Sequence, residues 1–413
     1  MNSKDLEINV ETLSIKNKLL IFIPIILFFV FGSFRGAIWL INDVILGIML
    51  LKLISHKIRL YKIEVFLIYL LLIFLLANSL MNGITKIFFV RIYDVFKGLI
   101  VLAFINSLYV NQRKAVEKFV LHDVFCFFNI YFFVNLLIII YQINAGTDRD
   151  HISGLIGENG THQMLAIWLL LLVINIIKIK TIKRKKIKYL IIIIFIFEFA
   201  TMLIISAYSD NTAFYFLGPY FIFISNFSTL KFRKVFNIRT IIIATVLIFV
   251  AINIVNKNSY VNEWYQRRVV VKYYQLNYLN DNRTISDEER TEMIKYAINE
   301  SKNVVFGNGL GIRTEIFGIE GKEYGYYPVH LIMNSMAPFI YEGGIVFLLL
   351  TFIIYYYYSS RFIVTKKAKI VVAINIIVLS FYTTFIVDER LMSIYPLINL
   401  SLYLNLCKFT DKE

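Results

Sequence analysis

Charge is scarce in this chain. Only 17% of its 413 residues are Asp, Glu, Lys or Arg, against 58% hydrophobic ones, and the mean hydropathy is +0.68. That leaves too little polar surface to coat an ordinary soluble domain. Cysteine is scarcer still: Cys126 and Cys407 are the two, both inside apolar runs. This excludes a disulfide framework and a cysteine metal site, and casts them as packing residues. No small-residue cleavage site follows the first apolar run, which is therefore read as a retained anchor rather than a signal peptide. No repeat relates two halves of the chain, unlike many transporters. No basic groove interleaved with aromatics points to nucleic acid either.

What the chain has in quantity is apolar runs of bilayer-crossing length, about 17–25 residues each. They fall near 17–31, 36–54, 64–80, 92–110, 119–143, 160–177, 187–206, 211–229, 240–256, 333–358, 368–387 and 391–407. The expected fold class is an all-α integral membrane protein of about twelve transmembrane helices. Lys and Arg concentrate in every second connection, "KLISHKIRLYK", "NQRKAVEK", "KIKTIKRKKIK", "KFRKVFNIR" and "RFIVTKKAK". The alternate loops "GSFRG", "NGITK", "NAGTDRDHISGLIGEN", "AYSD" and "DER" carry few cations. The positive-inside rule then places both termini in the cytoplasm of a multi-pass protein of the cell membrane, plasma or inner. The net charge of +15 is a topology signal and an attraction to anionic lipid.

Residues 1–16 form a cytoplasmic segment, 17–256 carry the first nine spans, 333–407 the last three, and 408–413 a short tail. Between the blocks, residues 257–332 are the one long hydrophilic stretch, and the span count puts them outside. A connection of that length in a tightly looped bundle is usually functional. Within it "SDEERTEMIKYAINESKNVVFG" reads as a helix, with Ser286 and Glu289 at capping-box spacing and Gly307 as its stop. Arg290, Met293, Ala297 and Val304 fall on one stripe. An arginine on a face that packs needs an anionic partner, either a neighbouring carboxylate such as Asp287 or a phosphate held by its guanidinium fork. The "GNGLG" of residues 307–311 reads as a plain turn or as a nest of N–H groups for an anion. His330 stands at interface depth before the next span, with Asn334 a turn on and Glu342 two turns beyond. It is either an interfacial histidine or a proton carrier.

The order of these features resembles the O-antigen polymerase and ligase family, the Wzy-type polysaccharide polymerases. That family's pattern runs Arg, a helix, G-x-G-x-G, His-Asn and E-x-G, and here it maps onto Arg290, Gly307, Gly309, Gly311, Asn334 and Glu342. A softer match is "DHISGLIGENGTHQM", with Gly154, Gly157, Asn159, Thr161 and His162 leading into a mid-chain span. A re-entrant glycine turn explains the same residues without function. Two positions depart from the pattern. Met333 stands where the histidine is usual, leaving His330 one turn earlier as its substitute. Asp210 and Asn211 stand where a Ser-Arg pair is common, which removes one phosphate-binding arginine and counts most against a ligase.

The resemblance implies a metal-independent membrane glycosyltransferase with no cofactor. It would move a glycan from undecaprenyl diphosphate to a sugar hydroxyl of a second lipid-linked repeat unit, in capsule, O-antigen or exopolysaccharide synthesis. His330 would serve as base, with Glu342 or Asp210 in reserve, and Arg290 would hold the diphosphate. Arg267, Arg268, Arg313, Asn334, Glu342, Asn159 and His162 would line the substrate site. Partners would be the undecaprenyl diphosphate-linked oligosaccharide, membrane lipid, and a chain-length regulator and flippase of the same pathway. The first outer loop, "FGSFRG", lacks the acidic pair usual in enzymes that use lipid monophosphate sugars. The alternatives are a ligase-like glycan transferase and a flippase or transporter of lipid-linked oligosaccharide. For transport, Glu198, Asp43 and the triplet Arg91, Asp94 and Lys97 are the intramembrane charges that either line a passage or pair internally.

Overall fold

A computed structural model gives the fold. It describes residues 12–31, 35–55, 62–84, 88–147, 151–157, 160–209, 211, 213–226, 286–310, 334–361, 366–386 and 388–407. Every regular element among the described residues is helical, because backbone groups in a bilayer must be satisfied within the segment that carries them. The helices are α1 (Ile15–Val30), α2 (Arg35–Ser55), α3 (Lys62–Asn82), α4 (Phe88–Asn111), α5 (Arg113–Lys118), α6 (Phe125–Asn144), α7 (Thr161–Thr181), α8 (Lys185–Tyr208), α9 (Ala213–Asn226), α10 (Ser286–Asn299), α11 (Met336–Ser360), α12 (Lys366–Tyr382) and α13 (Glu389–Cys407).

Among the described residues, six helical stretches are long and apolar enough to cross a membrane: Ile38–Ser55, Ile92–Asn111, Arg113–Asn144, Thr161–Thr181, Lys185–Ser206 and Met336–Ser360. The chain is an α-helical membrane protein. Three shorter apolar helices, Tyr69–Asn82, Ala213–Asn226 and Ala368–Tyr382, accompany them. The run at 240–256 lies outside the described residues.

Two expectations change, one of a boundary and one of burial. "NQRKAVEK" is hardly a loop: the helical path breaks only at Gln112, and α5 leads through a π-turn, Phe119–Val124, straight into α6. Ala115 and Val116 bury an apolar face there, which keeps the segment helical despite its charges. Cys126 is exposed on the bundle surface rather than packed inside it, since it lies on the outward face of a helix that is only partly covered. The side chain of Cys407 lies outside the described residues.

α7 is the hub. Its apolar window is 78% buried, against 28% for α8, and Met164 to Ile177 are covered on every side. Polar contacts fix the direction of its neighbours. At its C-terminal end Lys180 donates to Ser225 O (2.7 Å) and Asn405 Oδ1 (2.9 Å), and Asn405 donates to Ser225 O (2.6 Å). At its N-terminal end Gln163 donates to Asp388 (2.6 Å), and Asn211 donates to Thr161 O (3.2 Å). α7, α9 and α13 thus run parallel, with their N-termini at one pole of the bundle.

Candidate functional site

α11 is not one continuous helix. Gly344 has φ +71° and ψ −176°, which breaks the ladder in the middle of "EGG". In an intact helix the N–H of Ile345 would bond Tyr341 O, and that of Val346 would bond Glu342 O. Both pairs are split, and the turn at 304–309 is inserted between them. Ile345 donates to Val304 O (2.9 Å) and Val346 to Val305 O (3.3 Å), while Asn308 donates to Tyr341 O (2.9 Å) and Gly309 to Glu342 O (2.9 Å). All four orphaned backbone groups are therefore met by a segment 33 or 41 positions earlier in the chain. We call this inserted turn the wedge.

The fit depends on missing Cβ atoms. One added at Gly344 would strike the Val305 carbonyl and lie 2.6 Å from Phe306 N. One added at Gly307, whose φ is +70°, would lie 2.5 Å from Glu342 O. The glycines of "GNG" and "EGG" are thus two halves of one joint.

The wedge explains why the polar helix is shorter than expected. α10 ends at Asn299, not at Gly307. Asn308 takes the Glu300 carbonyl (3.2 Å) and the Lys302 N–H (2.7 Å), and Asn303 Oδ1 accepts from Val305 N (2.9 Å), so side chains capture the groups that would prolong the helix. Val304 consequently leaves the stripe expected for it, whereas Met293 and Ala297 are buried. Tyr296 stacks near Tyr341 at 6.3 Å and 22°, which seats α10 on α11. The four N–H groups from Gly307 to Leu310 bond Asn303 O, Tyr341 O, Glu342 O and Asn78 Oδ1 in turn. The segment is a committed turn, with its donors spent inside the protein.

Asn78 on α3 is an anchor that sequence reading did not single out. It donates to Phe306 O (2.6 Å) and accepts from Leu310 N (3.3 Å), and one turn earlier Phe74 lies between Phe306 and Phe347 at 6.1 and 5.3 Å. An asparagine in "LLANSL" carries no local signal, because its partners lie more than 200 residues away. Asn78→Leu strands a buried carbonyl and a buried N–H, each worth about 1–3 kcal/mol. We expect a clear drop in the thermal midpoint of the purified protein, and an unchanged midpoint would mean that the wedge does not depend on this anchor.

The expected site residues divide into four groups. Arg290 lies in α10, where its backbone alone is described, in register with Met293 and Ala297. Glu342 is buried immediately before the break, and Asn334 is buried with its Oδ1 accepting from Ala337 N (2.8 Å), which caps α11. His162 lies in the first turn of α7. His330, Arg267, Arg268, Arg313, Asn159, Asp210 and Gly311 lie outside the described residues.

The start of α11 joins the pole where α7, α9 and α13 begin. Ser335 N donates to Ser380 O (2.9 Å) and Thr383 O (3.1 Å), and Ser335 Oγ accepts from Ile386 N (3.3 Å). Asp388 follows, bonded to Thr384 through its N–H and to Gln163 through its carboxylate. Arg390 forks onto Asp388 through Nε (3.0 Å) and Nη2 (2.9 Å). The glycine segment before α7 turns back onto α6, where Asn135 and Gln142 accept from Leu155 N (2.7 Å) and Gly154 N (2.8 Å).

Among the described side chains, Asp43, Asp94 and Lys97 pair with one another, and Glu198 meets a neutral amide. Lys97 lies 3.3 Å from Asp43 and 3.6 Å from Asp94, and Tyr93 donates to Asp43 (3.0 Å). Glu198 accepts from Asn175 (2.5 Å), which Asn129 reaches at 3.4 Å. All but the Lys97–Asp94 contact, which lies within α4, join different helices.

No protein-family model matches this chain. No curated protein matches it either.

Proposed function

We propose that the chain is a polymerase of lipid-linked oligosaccharide repeat units, with twelve spans, both termini cytoplasmic and residues 257–332 outside the cell membrane. The observation that carries this reading is the wedge. Gly307 and Gly309 precede Glu342, Gly343 and Gly344 by more than 30 positions, yet the turn 304–309 docks into the break of α11 beside Glu342, in the helix that Asn334 caps. The same joint seats α10, the helix that carries Arg290, on α11 through Tyr296 and Tyr341.

The reaction needs little more than position and charge. A hydroxyl oxygen of the acceptor sugar attacks the anomeric carbon of the donor glycan. The bond from that carbon to the diphosphate oxygen breaks, and undecaprenyl diphosphate leaves. Arg290, aided by Arg267, Arg268 or Arg313, balances the charge that gathers on the leaving diphosphate, and His330 takes the hydroxyl proton. Because diphosphate is a good leaving group, no nucleotide sugar enters the step.

The reading requires the wedge to face outward, and this can be tested directly. With Cys126 and Cys407 replaced by serine, a cysteine at exposed Lys302 should react with an impermeant thiol reagent in intact cells, while one at exposed Lys183 should react only after lysis. Labelling of Lys183→Cys in intact cells, with Lys302→Cys protected, would invert the molecule and end the proposal.

A further inference from the structure

We propose that Gln163, Asp388 and Arg390 form a subsite for the hydroxyl groups of a sugar, at the pole where α7 and α13 begin. The inference rests on the polymerase reading only for its biological meaning, since the geometry stands by itself.

Gln163 is 2% exposed. Its Nε2 donates to Asp388 Oδ2 at 2.6 Å, which fixes the amide orientation, because the flipped amide would set its oxygen against a carboxylate oxygen. Its Oε1 is then a fully buried acceptor with no protein partner among the described residues. A buried acceptor left unmet costs as much as a lost hydrogen bond, so such an atom points to a donor supplied from outside the chain. Beside it, Arg390 commits Nε and Nη2 to Asp388 and leaves its remaining guanidinium hydrogens for another acceptor. The side chains of Arg390 and Asp388 are 27% and 15% exposed, so a ligand at this pole reaches them directly and meets Gln163 Oε1, which they cover, once they part.

The chemistry selects the ligand. A free arginine in an outward pole would suggest the diphosphate, but here the charge of Arg390 is cancelled by a forked carboxylate. A phosphate would meet the carboxylate of Asp388 and offer no hydrogen to Gln163 Oε1. A sugar hydroxyl donates and accepts at once, and a vicinal pair can donate to Gln163 Oε1 while accepting from Arg390. Neutral, hydrogen-rich and planar-polar, the cluster suits a glycan and not its lipid anchor.

The test uses the full-length protein in detergent with two kinds of probe: a panel of methyl glycosides (gluco, galacto, manno, N-acetylglucosamino and fuco) observed by proton saturation-transfer NMR, and inorganic pyrophosphate, which has no carbon-bound hydrogen and is observed by phosphorus-31 line broadening. At least one glycoside should receive saturation from the wild type. Gln163→Leu and Arg390→Gln should each weaken that binding about tenfold, the factor expected when a hydrogen bond to a buried or charged group is lost. Pyrophosphate binding should be unchanged in both variants, which also reports that they are folded. Three results would overturn the subsite: no glycoside saturated, saturation undiminished in both variants, or loss of pyrophosphate binding with glycoside binding intact. Glycoside binding without any pyrophosphate binding in the wild type would count against the polymerase reading alone.

Discussion

Gly344→Ala should expel the wedge. An alanine at φ +71° and ψ −176°, a region held almost only by glycine, carries about 1–3 kcal/mol of backbone strain, and its Cβ would strike the Val305 carbonyl and press on Phe306 N, which are backbone atoms that cannot swing aside. The same substitution favours ordinary helical angles, in which Tyr341 rejoins Ile345 and Glu342 rejoins Val346, so α11 has a second stable arrangement once the turn is gone. The expected result is a bundle that remains helical, a segment 300–310 newly open to proteolysis, and loss of glycan elongation. Gly47→Ala supplies the comparison: Gly47 lies inside α2 with open space where its Cβ would go, and the change should be close to neutral. Gly344→Ala with protease resistance equal to wild type would show that the joint tolerates a side chain and that the close approach is not what holds it.

Arg290→Lys should cost most of the activity while leaving the fold intact. A lysine keeps the charge but is a point cation, and it cannot reproduce a two-pronged grip on a diphosphate. Removing a charge contact from a preorganised site typically lowers turnover on the order of 10²–10³-fold, whereas breaking a surface pair costs about 0–1 kcal/mol of stability and leaves turnover alone. Lys295, exposed on the same helix, is the control, and Lys295→Ala should be nearly silent. If Arg290→Lys elongates glycans as fast as wild type at equal expression, α10 merely packs the loop, and the diphosphate contacts belong to Arg267, Arg268 or Arg313.

Hydropathy made the helical class legible and brought out the polar stretch around α10, because lipid exposure demands long apolar runs and a water-facing helix does not. It could not sort the helices among themselves. α7 and α8 have mean hydropathies of 2.0 and 2.5, yet one is the buried hub and the other mostly faces outward; lipid and protein interiors select the same side chains. The site was legible as separate pieces. Glycines at 307, 309, 343 and 344 stood out, but nothing local tells a turn that binds an anion from a turn that completes a broken helix. That distinction lies in which carbonyls the N–H groups find, and those are tertiary facts. Asn78, Gln163 and Arg390 were missed for the same reason. The "DER" loop read only as poor in cations, although its aspartate, gripped by its arginine, accepts from a glutamine 225 positions earlier.

The account stands or falls on whether this protein lengthens glycans. Purified wild-type protein, reconstituted in vesicles and given a lipid diphosphate-linked repeat unit without nucleotide sugar, should release undecaprenyl diphosphate and yield a ladder of longer lipid-linked glycans. Movement of the repeat units across the vesicle membrane with no release and no ladder would contradict it, and would make the protein a carrier of lipid-linked sugars rather than their polymerase.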